Sequence, residues 1–360
     1  MYVATGGGWP TEYPSGSLID EADWHILAGF WHPVAFSSEV REAPVAARLL
    51  DVDLVIYRTS SGVAVARDVC VHRGAKLSLG WIDEAGECLV CPFHGLHYDG
   101  RGQCRWIPAN GDRTKSPPQA LRLMSFLAEE RYGIVWACMK PGPLRPLPEW
   151  DILEHHGSEW VAIEVPKGRW NTTASRHCEN FNDIAHLSWV HMRTFGNRNR
   201  PEVPNYDLEQ TDYGLMMQLS YLEVERGYND KLGERERLTH YRHDLTYPFA
   251  TSLRCDYTGD EPDRAPTTSY FFDIASPVTA RQTDIYQITL TNIPGATAED
   301  YVNYQLVTNG EDIAVVESQR PEAVPLDLGV EMHIPADKFS IRYRRDLVEM
   351  FGLGSPSIVR

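Results

Sequence analysis

The sequence predicts an α+β protein of two domains, in which a small all-β module precedes a domain with helices packed on one twisted antiparallel sheet. From residue 24 to about residue 140, short β-rich runs such as LDVDLVIYR and YGIVWACM are bounded by Gly, Pro or Asp clusters, a pattern typical of strands. Residues 140–150, KPGPLRPLPEW, contain four prolines in eleven residues and form the best linker candidate. We therefore expect domains at 1–145 and 146–360.

The second half of the chain mixes helical and strand-like stretches. A helical stretch around HCENFNDIAHLSWVHM comes first, and strand-like runs such as LMMQLSYLEVE, TSYFFDIASPV and TDIYQITLTNI follow it. A second helical stretch, TAEDYVNYQLVTNGEDIAVVESQ, is expected to be interrupted at Asn309-Gly310. This order predicts one antiparallel sheet with helices on it.

Composition limits the function. The 360 residues carry a net charge of −16, which argues against nucleic acid or an anionic membrane as a partner. The first residues lack the basic and apolar regions of a secretory signal, so we expect none. Seven irregularly spaced cysteines suit reduced thiols or metal ligands better than a disulfide framework. We therefore expect a cytoplasmic protein.

Two short Cys/His pairs predict a metal cluster in the first domain. Cys70 and His72 are two residues apart, so their side chains share one side of an extended chain. Cys91 and His94 follow after an excursion long enough for a hairpin to bring the pairs together. Two Cys and two His suit either zinc or a Rieske [2Fe–2S] cluster. The Rieske cluster is favoured because each loop supplies one ligand of each kind.

A second metal motif lies in ENFNDIAHLSWVH. Asp183 and His186 are three residues apart, which would place them on one face of a helix. His191 follows five residues later, so we expect the helix to break or bulge there. Two imidazoles and one carboxylate form the facial triad of non-haem Fe(II) oxygenases, which leaves positions open for O2 and substrate. On spacing alone, any Asp or Glu that reaches the site could be the carboxylate.

These motifs resemble those of the Rieske non-haem iron oxygenases. HRGAKLSLG and CPFHGLHYDGRGQC surround the first motif, and WNTTASRHCENFNDIAHLSWVH is similar to the catalytic motif of the monooxygenase branch, which includes O- and N-demethylases. FWHPV, ERYGIVW and ADKFSIRYRR extend the likeness, to caffeine-type N-demethylases and a toxin-tailoring hydroxylase, over nearly the whole chain. One departure is Leu96, where the family often has Trp. The resemblance implies a Rieske sandwich followed by a helix-grip domain, whose sheet and long C-terminal helix enclose the pocket.

The resemblance also implies roles for residues of the second motif. His186 and His191 would bind iron, and Asn180 would lie beside the site. Asp183 would not be a ligand but would bridge, across a homotrimer interface, to a cluster histidine of the next subunit.

The third iron ligand would come from NGEDIAVVESQRP. Asp312 matches the family position, and Glu311 and Glu317 are its competitors.

The expected function is that of a terminal oxygenase. It would use O2 to hydroxylate a substrate C–H bond, including N- or O-demethylation with release of formaldehyde. The chain has no dinucleotide-binding fingerprint and no plant-type ferredoxin cysteine run, so a separate reductase, with or without a ferredoxin, would supply electrons from NAD(P)H. A ring cis-dihydroxylating dioxygenase and a Rieske electron-transfer protein without oxygenase activity are the alternatives.

Overall fold

The computed structural model describes residues 13–226, 234–257 and 266–354. Residues 1–12, which we expected to extend the N-terminal domain, lie outside the described residues. The chain divides into two compact units: Met1–Pro146 with Pro277–Ala280, and Leu147–Ser276 with Arg281–Arg360. Among the helices of the described residues, none combines the length and the apolar character that crossing a membrane requires.

The first unit consists mainly of antiparallel strands, which confirms the predicted all-β module. Its strands are β1 His32–Phe36, β2 Val45–Leu49, β3 Val52–Thr59, β4 Gly62–Arg67, β5 Trp81–Ile82, β6 Cys88–Val90, β7 His97–Asp99, β8 Cys104–Trp106, β9 Ser125–Arg131 and β10 Ile134–Cys138. One sheet has the order β1-β10-β9-β4-β3-β2, and a smaller sheet has the order β5-β6-β7-β8. The smaller sheet carries the loops with the two Cys/His pairs.

A helix that the sequence patterns did not predict precedes the first strand. This helix, α1 Glu21–Leu27, begins at Asp20, whose Oδ1 atom accepts a hydrogen bond from the backbone N–H of Ala22 at 2.9 Å. Its buried Trp24 donates from Nε1 to the backbone oxygen of Leu50 at 2.7 Å. The helix is thereby anchored to the core of the first unit.

The second unit contains one antiparallel sheet of seven strands. These are β11 Val161–Trp170, β12 Leu208–Gln210, β13 Gly214–Arg226, β14 Glu234–Thr246, β15 Ala250–Tyr257, β16 Thr267–Thr279 and β17 Gln282–Thr291, in the order β11-β17-β16-β15-β14-β13-β12. Strand β14 shows the alternation of a strand with one covered face: Tyr241 and His243 are buried, whereas His240 and Arg242 are exposed. One face of the sheet therefore presents polar and aromatic side chains to the interior.

Helices complete the second unit and confirm the α+β class. They are α2 Asp151–Glu154, α3 Ala174–Phe181, α4 Leu187–Val190, α5 Ala298–Val316 and α6 Lys338–Phe351. The Thr297 hydroxyl caps α5 by accepting from the backbone N–H of Asp300 at 3.2 Å.

The predicted interruption at Asn309-Gly310 is wrong, because α5 runs unbroken through both residues. Asn309 is buried, exchanges hydrogen bonds with Gln287 on β17 and accepts one from Gln305 on α5. Such tertiary contacts offset the roughly 1 kcal/mol that a glycine costs inside a helix.

Candidate functional site

The two Cys/His loops of the first unit have nearly the same backbone geometry. Gly74 donates its backbone N–H to the oxygen of Cys70 at 2.8 Å, and Gly95 donates to the oxygen of Cys91 at 3.0 Å. The two glycines have φ angles of 73° and 68°, in the left-handed region that favours glycine. Each cysteine therefore opens a tight turn that glycine closes.

Burial separates the thiols from the imidazoles of these loops. Cys70 and Cys91 are each 1% exposed, whereas His72 and His94 are exposed, with ring centroids 4.6 Å apart. Burial raises the pKa of the Cys91 thiol, and contact with Cys70 raises it further, so a bound cation is needed to keep this thiol ionised. The donor set fits a [2Fe–2S] cluster, which the buried thiols and the exposed imidazoles of these loops would hold.

The zinc alternative fits the arrangement less well. In a tetrahedral zinc site, all four donor atoms lie within roughly 4 Å of one another. No three donor atoms of Cys70, His72, Cys91 and His94, all of them described, form a group within 4.8 Å. Ligands of a [2Fe–2S] cluster are spread over two metals, so the wider spacing favours the Rieske cluster.

Tyr98 makes a contact with the thiol of Cys70 that the sequence did not indicate. Its hydroxyl lies 3.2 Å from Sγ of Cys70. Burial raises the pKa of Tyr98, and the contact with Cys70 raises it further, so the hydroxyl stays protonated and donates to the sulfur. Leu96 packs in the same buried core as the two thiols, so its replacement of Trp affects packing and not ligation.

The second candidate site lies in the second unit. Nε2 of His186 lies 3.2 Å from Nε2 of His191, and each nitrogen lies 3.6 Å from Oδ1 of Asp312. This oxygen is buried and has no hydrogen-bond partner within the described part of the chain. Donors bound at about 2.1 Å to one metal ion stand roughly 3 to 4 Å apart, so the three atoms fit a single iron.

The local chain path differs from the expected helix face. Helix α3 ends at Phe181, and Asp183 lies in the turn that follows it. The Asp183 carboxylate accepts the backbone N–H groups of Ala185 and His186 at 3.1 and 3.0 Å, which stabilises this turn. The helix therefore breaks before His186 and not between His186 and His191, which flank the short helix α4.

A carboxylate lies close to the Nδ1 atom of each imidazole. Nδ1 of His186 lies 3.0 Å from Oδ2 of Asp183, and Nδ1 of His191 lies 3.3 Å from Oε2 of Glu311. Burial alone would raise the pKa of Asp183, but hydrogen bonds from His186 and its charge hold it below the usual value. Burial would likewise raise the pKa of Glu311, but hydrogen bonds from His191 and other neighbours hold it below the usual value. Both carboxylates can orient an imidazole and turn its Nε2 towards the metal position.

The other two candidates for the third ligand, Glu311 and Glu317, form hydrogen bonds with other groups. Glu311 accepts from the backbone of Arg193 at 2.6 Å and from the Thr194 hydroxyl at 2.8 Å, in addition to its contact with His191. Glu317 accepts from the backbone N–H of Asn171 at 2.7 Å. Only Asp312, of the three candidates, joins the group with the two histidines.

A cavity of about 100 Å³ lies beside the three convergent side chains. Its wall includes Asn180 of α3 and the aromatic residues Trp170, Phe181, Phe195, Tyr241, Tyr257, Phe271 and Tyr304. Helices α3, α4 and α5 all contribute to the wall, and α5 does so through residues from Tyr304 to Asp312. The aromatic wall suits a largely apolar ligand.

Several polar residues of the cavity wall pair with one another. Glu223 accepts from Arg237 at 2.9 Å and from the Tyr241 hydroxyl. Asp273 lies 2.7 Å from Nε2 of His177 and accepts from Gln287 at 2.8 Å. These pairs satisfy buried charges without a ligand.

Family profiles match both halves of the chain. The Rieske [2Fe-2S] domain matches residues 30–123, and the vanillate O-demethylase oxygenase C-terminal domain matches residues 170–351. The first profile covers both Cys/His pairs, and the second covers the His186, His191 and Asp312 group.

Individual relatives agree with the family profiles. The chain is 28% identical over 341 residues to the methylxanthine N1-demethylase NdmA of Pseudomonas putida, covering 92% of this chain and 91% of the relative. It is 27% identical to the N3-demethylase NdmB of the same organism, covering 90% and 89%. The solved structure of an NdmA variant with theobromine superposes with a TM-score of 0.76 at 26% identity, covering 92% of each chain.

Proposed function

Because the chain belongs to the Rieske non-haem iron oxygenases, with a catalytic domain of the vanillate O-demethylase type, we propose that it demethylates an aromatic N-methyl or O-methyl compound. The enzyme is an oxidoreductase that acts on a small molecule with O2, and it needs a reductase for electrons. The convergence of His186, His191 and Asp312 beside a cavity rich in aromatic residues carries the proposal.

The proposed ligands follow the geometry of the two sites. Cys70, His72, Cys91 and His94 would hold the [2Fe–2S] cluster in a domain at 1–145. His186, His191 and Asp312 would hold the mononuclear Fe(II) in a domain at 146–360. When bound, the cluster supplies single electrons and the mononuclear iron supplies O2 activation.

The overall reaction balances as a hydroxylation followed by a collapse. One oxygen atom of O2 is inserted into a methyl C–H bond. Two electrons and two protons reduce the other oxygen atom to water. The hemiaminal or hemiacetal then breaks its C–N or C–O bond, which yields formaldehyde and a free N–H or O–H group. Demethylation and hydroxylation are thus one reaction on different substrates.

The protein's own residues orient the ligands and shape the pocket. Asp183 and Glu311 fix the two imidazoles through their Nδ1 atoms. Asn180 would contact the substrate or its water from the wall of the cavity. Aromatic side chains exclude water and position a flat ring with its methyl group towards the metal position.

The proposal includes an assembly and a location. Adjacent subunits of a homotrimer would place Asp183 between the mononuclear site of one subunit and a cluster histidine of the next. The Asp183 side chain is 26% exposed, which leaves part of its carboxylate accessible to such a partner. Free, buried cysteines support a cytoplasmic location. A reductase, alone or with a ferredoxin, would supply electrons from NAD(P)H.

Formaldehyde release tests the proposal. Purified enzyme with a reductase and NADH would be screened against methylated amines, alkaloids and aryl ethers. We expect one formaldehyde and one demethylated product for each substrate molecule consumed. A cis-diol, or a hydroxylated product that retains every methyl group, would contradict demethylation.

A further inference from the structure

His243 presents a buried, unpartnered polar atom at the cavity of the second unit. It lies on β14 among the residues of the cavity wall and is 2% exposed. Its Nε2 atom is buried and has no hydrogen-bond partner among the described residues. A buried polar atom without a partner is costly unless a ligand or an ordered water satisfies it.

Asn182 fixes the tautomer of this ring. Its side-chain nitrogen donates to the backbone oxygen of Cys178 at 2.8 Å and to the Thr251 hydroxyl at 3.0 Å. The side-chain oxygen of Asn182 is therefore left to accept, and Nδ1 of His243 lies 3.3 Å from it. Nδ1 must carry the hydrogen, so Nε2 of the neutral ring is an acceptor.

The ring stays neutral at ordinary pH. Burial, followed by the charge of His186, lowers the pKa of His243 to about 3. Phe181 and Tyr241 pack against the ring with centroid distances of 6.2 and 6.1 Å. The Nδ1 edge of the ring faces Asn182, which is fully buried and is not part of the cavity wall. The opposite edge, with Nε2, therefore faces the cavity.

The imidazole of His177, also in the cavity wall, is not fixed as a hydrogen-bond acceptor or donor in this way. Nδ1 of His177 is also buried without a partner, but Nε2 of this ring pairs with the Asp273 carboxylate at 2.7 Å. A carboxylate partner is compatible with a neutral ring and with a charged ring, so Nδ1 can accept or donate. Of the His177 and His243 rings, only that of His243 has its hydrogen-bond role set by its neighbour.

We infer that Nε2 of His243 accepts a hydrogen bond from the substrate, which therefore carries an N–H or O–H donor in addition to the methyl group that is oxidised. This inference rests on the proposed function and narrows its substrate class. A methylated ring with one free N–H or hydroxyl satisfies the acceptor. A fully methylated analogue leaves it buried and unpaired, which we expect to weaken binding about 10- to 100-fold.

Two sets of matched probes test the inference by binding alone. Theobromine, paraxanthine and theophylline each carry one N–H at a different ring position, whereas caffeine carries none. Phenol and anisole form a smaller pair that differs by one O–H. Dissociation constants would be measured by anaerobic calorimetry on the holoenzyme, so that turnover is not required.

Three variants separate the role of His243 from general effects on the fold. His243→Phe should remove the preference for donor-bearing probes. His243→Gln, which keeps an acceptor oxygen, should retain part of it even if the Phe variant folds poorly. His240→Phe makes the same change on the exposed face of the same strand and should leave the preference intact.

Each outcome bears on the inference. A 10- to 100-fold preference for a donor-bearing probe that His243→Phe abolishes would support it. Caffeine and anisole binding at least as tightly as their donor-bearing partners, or a preference that survives in His243→Phe, would overturn it. Formaldehyde assays on the same samples keep the two claims apart. Demethylation without the preference overturns the inference alone, and the preference without demethylation overturns the proposed function alone.

Discussion

Oδ2 of Asp183 lies 3.0 Å from Nδ1 of His186 and accepts the backbone N–H of the same residue at 3.0 Å. One carboxylate oxygen thus holds both the ring and the backbone of a candidate ligand. The opposite ring nitrogen points at His191 and Asp312. The Asp183 oxygens lie outside the group formed by His186, His191 and Asp312, and we expect Asp183 to orient His186 without binding the metal.

Replacing Asp183 by Asn should separate orientation and electron transfer from iron binding. The Asp183→Asn variant keeps the shape but loses the charge, so we expect both metal sites near full occupancy and a cluster that its partner still reduces. Electron transfer from cluster to mononuclear iron should slow by orders of magnitude in single-turnover experiments. Loss of the mononuclear iron would make Asp183 a ligand, and an unchanged rate would remove it from the mechanism.

Glu311→Gln tests the second orienting carboxylate. The change removes the negative charge behind His191, and the affinity for Fe(II) should fall about 10- to 100-fold. Equilibrium binding of Fe(II) to enzyme stripped of its mononuclear iron measures the effect. Glu299→Gln, in the exposed first turn of the same helix, provides the matched control and should bind iron normally. Equal affinities in the two variants would show that Glu311 does not support the ligand.

Tyr98→Phe tests the hydrogen bond to the cluster thiol. We expect the hydroxyl to stabilise the extra negative charge of a reduced cluster held by Cys70, so its loss should lower the reduction potential. A hydrogen bond worth about 1 kcal/mol corresponds to roughly 40 mV for a one-electron couple. Tyr57→Phe is the control, because the Tyr57 hydroxyl donates to the backbone oxygen of Asp99 and not to a thiol. Direct electrochemistry that gives one potential for both variants would contradict this role.

Local sequence predicted the parts of the fold and site that depend on local geometry. Strand runs in the first unit follow from alternating β-branched and apolar residues between turn residues. The two Cys/His loops follow from spacing, since Gly74 and Gly95 close the same turn after each cysteine.

Features that depend on particular side-chain contacts were missed. Gly310 stays helical because neighbouring Asn309 bonds to Gln287 on another element. The break before His186 depends on the Asp183 side chain capping its own turn, which competes with the helix. His243 gave no signal, because an isolated histidine on a strand does not reveal that its ring faces a cavity or that Asn182 sets its tautomer.

Iron analysis of purified wild-type enzyme and His186→Ala distinguishes a terminal oxygenase from a simple electron carrier. We predict about three irons per chain in the wild type, two in the cluster and one at His186, His191 and Asp312. His186→Ala should hold about two irons with an unchanged Rieske spectrum, whereas His240→Ala, on the exposed face of β14, should keep all three. Three irons per chain in His186→Ala, or only two in the wild type, would contradict the assignment of the mononuclear site.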